Sequence, residues 1–168
     1  EKRPEIVDLR SRVGDWEADT VIGKQGHSVL VTLVERKTRF TVAIKSANKT
    51  AQAVTDAICE NLKPYQDRVL TLTYDNGREF AYHEEIASKL MAPGFFAHPY
   101  HSWERGLNEN TNGLIRQYIP KGKDIDDLSD EYVAEIVEKI NNRPRKCLGF
   151  KTPNQLFIGH QQPVALAS

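Results

Sequence analysis

The stretch from Asp15 to Gly23 reads DWEADTVIG, and how it folds decides how the rest of the chain is arranged. The alternation predicts a strand with Trp16 and Ala18 on one face and Glu17 and Asp19 on the other. An acid in mid-strand is unusual, because burying an ionised carboxylate without a partner is costly. Two further runs follow, SVLVTLVE (28–35) and RFTVAIKS (39–46), rich in Val, Thr and Ile and set off by the short turns GKQGH and RKT. Together the three predict an antiparallel meander. Its first strand is expected to be central, since two strands and a helix come after it. Two structural readings of Asp19 stay open here: an edge strand with one wet face, or an ion pair with Lys24 or Arg39.

Outward from the meander, TAQAVTDAICENLK (50–63) places Val54, Ala57, Ile58 and Leu62 on one helical stripe and stops before Pro64. VLTLTY (69–74) reads as a strand ended by Asp75-Asn76-Gly77, an ordinary turn sequence. FAYHEEIASKLM (80–91) reads as a helix with Ile86, Ala87, Leu90 and Met91 together, and FFAHP (95–99) as a short strand. Ser129 is placed to cap the helix SDEYVAEIVEKINN, with Tyr132, Val133, Ile136, Val137 and Ile140 on its buried face and Pro144 beyond its end. Hairpins followed by alternating helix and strand predict an α/β fold, a mixed sheet flanked by helices.

Composition narrows the function classes. The 168 residues are 39% hydrophobic and 27% charged, which suits one globular domain with a sizeable core. With 23 basic against 23 acidic residues there is no overall field to draw the chain onto nucleic acid or an anionic membrane, so any such attraction is local. The only cysteines, Cys59 and Cys147, argue against a disulfide framework or a zinc site and for a reducing cytosol. The charged opening EKRPEIVDLRSR is unlike a signal peptide, and no run of about 18 apolar residues offers a membrane span. The first residue is Glu rather than Met, as expected of a piece of a longer protein.

The segment HSWERGLNENTNGLIRQYIPKG (101–122) holds a third unusual acid. At about 100° per residue, Thr111, Leu114 and Tyr118 fall within roughly 40° of Leu107 and Ile115 at about 80°, whereas Arg105, Glu109, Asn112 and Arg116 share the far side. Taken singly, Glu109 reads as a solvated acid between two arginines, a pairing worth a few tenths of a kcal/mol. Taken with Asp19 and Asp75 it reads differently. Three carboxylates converging where strand ends meet a helix face repel one another unless cations neutralise them. Oxygen-only ligands suit Mg²⁺ or Mn²⁺, and two such ions stabilise the attacking and leaving oxygens of a displacement at phosphorus.

The residues Trp16-Glu17-Ala18-Asp19, Thr73-Tyr74-Asp75-Asn76-Gly77 and Asn108-Glu109-Asn110, with 33 residues between Asp75 and Glu109, resemble the D-D-E signature of integrase-core transposases. TLVERKTRF, TYDNGREF, the 101–122 segment and NNRPRKCLGFKTPNQLF resemble, more closely, the catalytic domain of bacterial transposases of the insertion-sequence-thirty family, from about Gly14 to Phe157. The resemblance implies a ribonuclease-H-like five-stranded mixed sheet: a polar lead-in over 1–13, a catalytic core over 14–142 and a basic C-terminal tail over 143–168 that packs on it. It implies a DNA transposase that cleaves a phosphodiester at the element's end and joins the freed 3′-hydroxyl to another strand, by a two-metal-ion mechanism using Mg²⁺ or Mn²⁺. Asp19 would bridge both ions, Asp75 hold one and Glu109 the other. The implied partners are terminal-repeat and target DNA and further copies of the chain, acting on chromosomal or plasmid DNA in a bacterial cytoplasm. The N-terminal helix-turn-helix region that such transposases carry is not part of this sequence.

Charge is unevenly spread. Residues 124–138 hold seven acids and no base, a block expected to be a solvated surface, and 139–151 hold five bases and no acid. Arg105, Asn108, Asn112, Arg116, Lys121, Lys123, Arg143, Arg145 and Lys146 are candidate DNA contacts, weighed against pairing of the acidic and basic blocks with each other. His101 is a candidate to support the metal site or touch phosphate. Trp103 and Trp16 are expected to pack. Glu17, on the side of Asp19, could assist the site. Two other functions fit the same residues: a nuclease that only hydrolyses, and a non-catalytic DNA-docking or protein-interaction domain.

Overall fold

The computed structural model describes residues 2–98 and 106–159. In chain order its elements are α1 (Glu5–Asp8), β1 (Asp15–Ile22), β2 (Val29–Glu35), β3 (Thr41–Ser46), α2 (Ala51–Leu62), β4 (Thr71–Tyr74), α3 (His83–Leu90), β5 (Gly94–Phe96), α4 (Gly106–Arg116), α5 (Asp130–Asn141) and α6 (Pro153–Gly159). The five strands form one sheet in the order β3-β2-β1-β4-β5. β1 pairs antiparallel with β2 and parallel with β4, so the strand carrying Asp19 is central, as its sequence position predicts.

Side-chain alternation along β1 divides the interior in two. Trp16 and Ala18 enter the larger core with Val54, Ile58 and Leu62 of α2 and Ile86 and Leu90 of α3. On the other face Val21 joins Leu30, Ile115 of α4 and Val133, Ile136 and Ile140 of α5. β2 is buried at all seven positions because helices cover both faces of the sheet there. The exposed edge of β3 is blunted by Asn141, whose side chain accepts from Thr41 N at 2.9 Å and donates to Thr41 O at 2.8 Å. Capping fixes the helix starts. Thr50 Oγ1 accepts from Ala53 N, and Ser129 Oγ accepts from Tyr132 N, the latter as its position in the sequence predicts.

Two expectations need correcting. Met91 does not share the buried stripe of α3: it is the residue after the helix, turned left-handed at φ 54°, and is 84% exposed. The acidic block is not wholly a solvated surface either. The β1–β2 hairpin loop leaves backbone N–H groups unpaired, and Asp124 accepts from Gln25 N while Asp126 accepts from His27 N and Ser28 N. Hydrogen bonds from Ser28, side chain and then backbone, hold the Asp126 carboxyl below its ordinary value. A depressed carboxylate adds stability above its unfolded pKa and loses it as pH falls through the folded one. Asp126→Asn is therefore expected to melt earlier than the native chain at neutral pH, the gap closing on acidification below the usual Asp range; thermal melts across pH check this.

Candidate active site

β1 and β4 set the site. Glu17 lies opposite Thr73 in their parallel register; Asp19 and Asp75 each come two residues later, Asp19 within β1 and Asp75 just past the end of β4. Leu72 and Tyr74 face the larger core, so Thr73 shares the other face of the sheet with Glu17 and Asp19.

Each aspartate is held in place. Asp19 is 8% exposed, and its Oδ1 accepts from Thr20 N at 2.8 Å and its Oδ2 from Asn112 Nδ2 of α4 at 3.0 Å. Neither Lys24 nor Arg39, the cations weighed as partners from sequence, makes these bonds. Asp75 begins a tight turn in which its Oδ1 accepts from Gly77 N at 2.8 Å. Gly77 is required by closeness: a Cβ there would stand 2.8 Å from Asp75 Oδ1 and run into the Glu79 carboxylate. Glu79, which sequence reading did not single out, is 6% exposed and accepts from Thr20 Oγ1 at 2.9 Å and pairs with Lys49 Nζ at 3.2 Å. Burial alone would raise its pKa, but hydrogen bonds from its own backbone, Thr20 and Lys49 outweigh that and lower it. Glu79 thus ties the Asp75 turn to the residue after Asp19. The signal available in sequence was a carboxylate two residues after a turn glycine and next to Phe80.

α4 approaches from the opposite side. Its buried residues are Leu107, Asn108, Thr111 and Ile115, and Arg116 Nη2 donates to Ile22 O at 2.8 Å, fastening the helix to the end of β1. Glu109 lies in the first turn and is exposed; it is three residues before Asn112, so the two share one side of the helix. Among the described residues no group of three His, Cys, Asp or Glu side chains is close enough to hold a metal ion, so Asp19, Asp75 and Glu109 are not gathered into one such group.

Glu17 is buried and forms an ion pair with Arg36, whose Nε donates to Val7 O. Burial pushes the Glu17 carboxyl up, opposed by Arg36, Arg10, Arg3 and Arg39.

The remaining candidates are scattered. Asn108 is 3% exposed and faces inward, and Arg145, 8% exposed, donates to Ile140 O. Arg143 donates to Gln117 Oε1 and Tyr118 OH, linking the last segment to the end of α4. Lys121, Lys123 and Lys146 are exposed. The acidic and basic blocks pair little: among the described residues Lys139 meets Glu135 within α5. His101, Trp103 and Arg105 lie outside the described residues. No helix among those described is long and apolar enough to cross a membrane.

The profile of the integrase core domain family matches residues 11–102. The chain is 49% identical over 170 residues to "Transposase for insertion sequence element IS4351" of Bacteroides fragilis, covering 100% of this chain and 52% of that protein. It is 36% identical over 157 residues to "Transposase InsI for insertion sequence element IS30A" of Escherichia coli strain K12, covering 93% of this chain and 41% of that one. Among solved structures, the catalytic core domain of BIV integrase aligns with TM-score 0.69 and 21% identity over 89% of this chain and 97% of its own. The HTLV-2 integrase catalytic core domain in complex with magnesium aligns with TM-score 0.64 and 18% identity over 84% and 94%. At such identities the structures speak for the fold alone, and it is the ribonuclease-H-like one expected from the sequence. The chain spans about half the length of the transposases it matches. With the family profile matching more than half of the chain, the protein belongs to the integrase core domain family.

Proposed function

We propose that this chain is the catalytic core of a DNA transposase, cleaving a phosphodiester at an element's end and transferring the freed 3′-hydroxyl to a second strand. The observation that carries the reading is that Asp19, on the central strand, and Asp75, just past the end of the strand paired parallel with it, are each oriented by a backbone N–H. Two carboxylates with oxygen-only chemistry fit a hard divalent cation. Asp19, Asp75 and Glu109 would hold Mg²⁺ or Mn²⁺, two ions in the full site, with Glu109 drawn in from the first turn of α4. Bound there, the ions supply charge neutralisation to the attacking and leaving oxygens.

The chain's own residues do the positioning. Asn112 and Thr20 N fix both oxygens of Asp19, and the Gly77 turn, backed by Glu79, fixes Asp75. In the first displacement a water oxygen bonds to phosphorus as the bond from phosphorus to the 3′ oxygen breaks, leaving a 5′-phosphate and a 3′-hydroxyl. In the second, that hydroxyl attacks a phosphodiester of another strand, one phosphorus–oxygen bond replacing another. Exposed Lys121, Lys123 and Lys146, with Arg116 and Arg143 at the end of α4, supply sequence-independent contacts to the backbone. Because transposition joins two element ends, the active complex holds more than one copy of the chain.

Incubating the protein with the ends of its element, a plasmid target and Mg²⁺ or Mn²⁺ tests this. Joined product is expected. Nicked DNA alone would make the chain a hydrolase on the same fold, and no metal-dependent cleavage by the complete transposase would overturn the reading.

A further inference from the structure

The two residues whose backbone N–H groups orient the aspartates meet at one side chain. Thr20 N donates to Asp19 Oδ1 and Gly77 N donates to Asp75 Oδ1, both at 2.8 Å. Glu79 touches both. Its Oε1 accepts from Thr20 Oγ1 at 2.9 Å, across 59 positions of the chain. Its Oε2 lies so close to Gly77 that a Cβ there would stand 2.3 Å from Oε2 and 2.8 Å from Asp75 Oδ1. A single carboxylate therefore links the central strand to the turn that follows β4.

Glu79 is itself held firmly. The next residue, Phe80, is fully buried and meets Tyr74 with ring centroids 5.1 Å apart, and Phe80 N donates to Gly77 O, so the turn is anchored in the larger core. Lys49, on the approach to α2, pairs with Oε1 at 3.2 Å. With an ammonium and a hydroxyl already on Oε1, Glu79 supports the site and is not a further metal ligand. Alternation along β1 sends the Thr20 side chain to the face opposite Asp19, so this support does not compete for the Asp19 carboxylate. Burying a carboxylate close to Asp75 is unfavourable in itself, and an ion pair to a lysine that is 39% exposed returns little. Stability alone gives no reason for an acid here; the two residues it holds together do.

We infer that Glu79 is a positioning residue for the metal site: by clamping Thr20 to the Gly77 turn it sets Asp75 relative to Asp19, and with that the affinity for the divalent cation. Groups that hold metal ligands from behind are worth about 10- to 100-fold in metal affinity or activity. The inference rests on the reading of the chain as a metal-dependent DNA-processing core.

The test titrates Mn²⁺ into the complete transposase bound to its element-end DNA. Two quantities are followed: the cleavage rate, and the ion bound to protein, read from loss of the free Mn²⁺ electron paramagnetic resonance signal with binding to DNA alone subtracted. Glu79→Ala and Thr20→Val are each expected to raise the Mn²⁺ midpoint about tenfold in both, with DNA affinity in the absence of metal unchanged. The two effects should not add in the double variant, because each removes the same link. Thr20→Ser keeps the hydroxyl and should keep the native midpoint. A merely structural role would lower the melting temperature, and the rate at every Mn²⁺ concentration, while leaving the midpoint in place; that result overturns the inference, as does full additivity. Should Glu79→Ala fail to fold, the contrast between Thr20→Val and Thr20→Ser decides by itself. A native transposase that cleaves at no Mn²⁺ concentration sinks the functional reading; one that cleaves while the variants share its midpoint sinks this inference alone.

Discussion

Asp75→Asn is expected to abolish DNA cleavage and strand transfer while leaving the protein folded. Asparagine keeps the size of the side chain and an oxygen able to accept from Gly77 N, so the turn that follows β4 survives. What disappears is one of the site's negative charges, and with it the affinity for a hard cation. The cation's neutralisation of developing charge is worth several kcal/mol in the transition state, and each 1.4 kcal/mol is about tenfold in rate, so cleavage should fall by about a thousandfold or more. Relief of repulsion between Asp19 and Asp75 should meanwhile leave the metal-free protein no less stable. Nicking assays alongside thermal melts check both halves; undiminished Mg²⁺-dependent cleavage by the variant would remove Asp75 from the chemistry.

The largest expected effect on stability is that of Phe157→Ala. Phe157 is fully buried in α6, far along the chain from the sheet, yet its ring stacks on Phe40 at 4.2 Å and meets Trp16 at 5.6 Å and Tyr65 at 5.4 Å edge-on. The Arg68 guanidinium lies over the ring at 3.9 Å and donates from Nη1 to Phe157 O at 2.7 Å. Truncation would empty the middle of this cluster, at a cost of about 3–5 kcal/mol, or a fall in melting temperature of roughly 10 °C in a chain of this size. Phe150, 71% exposed only seven residues earlier, is the control: its truncation should change stability by less than about 0.5 kcal/mol. Equal melting of the two variants would show that α6 contributes nothing to the core.

What the sequence disclosed follows from which forces are local. The meander was legible because alternation in DWEADTVIG, SVLVTLVE and RFTVAIKS is a property of each strand, and Asp19 stood out as an acid on a strand that had to be central. The neighbourhood of Asp19 was not legible. Its strand pairs parallel with β4 only across the whole crossover through α2, and its bond to Asn112 joins residues 93 positions apart. Glu79 was missed because its partners, Thr20 and Lys49, come from β1 and the approach to α2. Asn108 shows the reverse error, since its angle of about 100° from Leu107 on α4 already put it beside Ile115 on the buried side. Asp126 misled because composition alone does not reveal that a distant hairpin leaves backbone donors for it to satisfy.

Crystals of the chain grown with DNA and soaked in Mn²⁺ offer the most direct measurement. Anomalous density is expected between the carboxylates of Asp19 and Asp75, at about 2 Å from their oxygens, with Glu109 brought in from α4 to complete the set. A Mn²⁺-saturated DNA complex with no peak touching Asp19 or Asp75 would contradict the account.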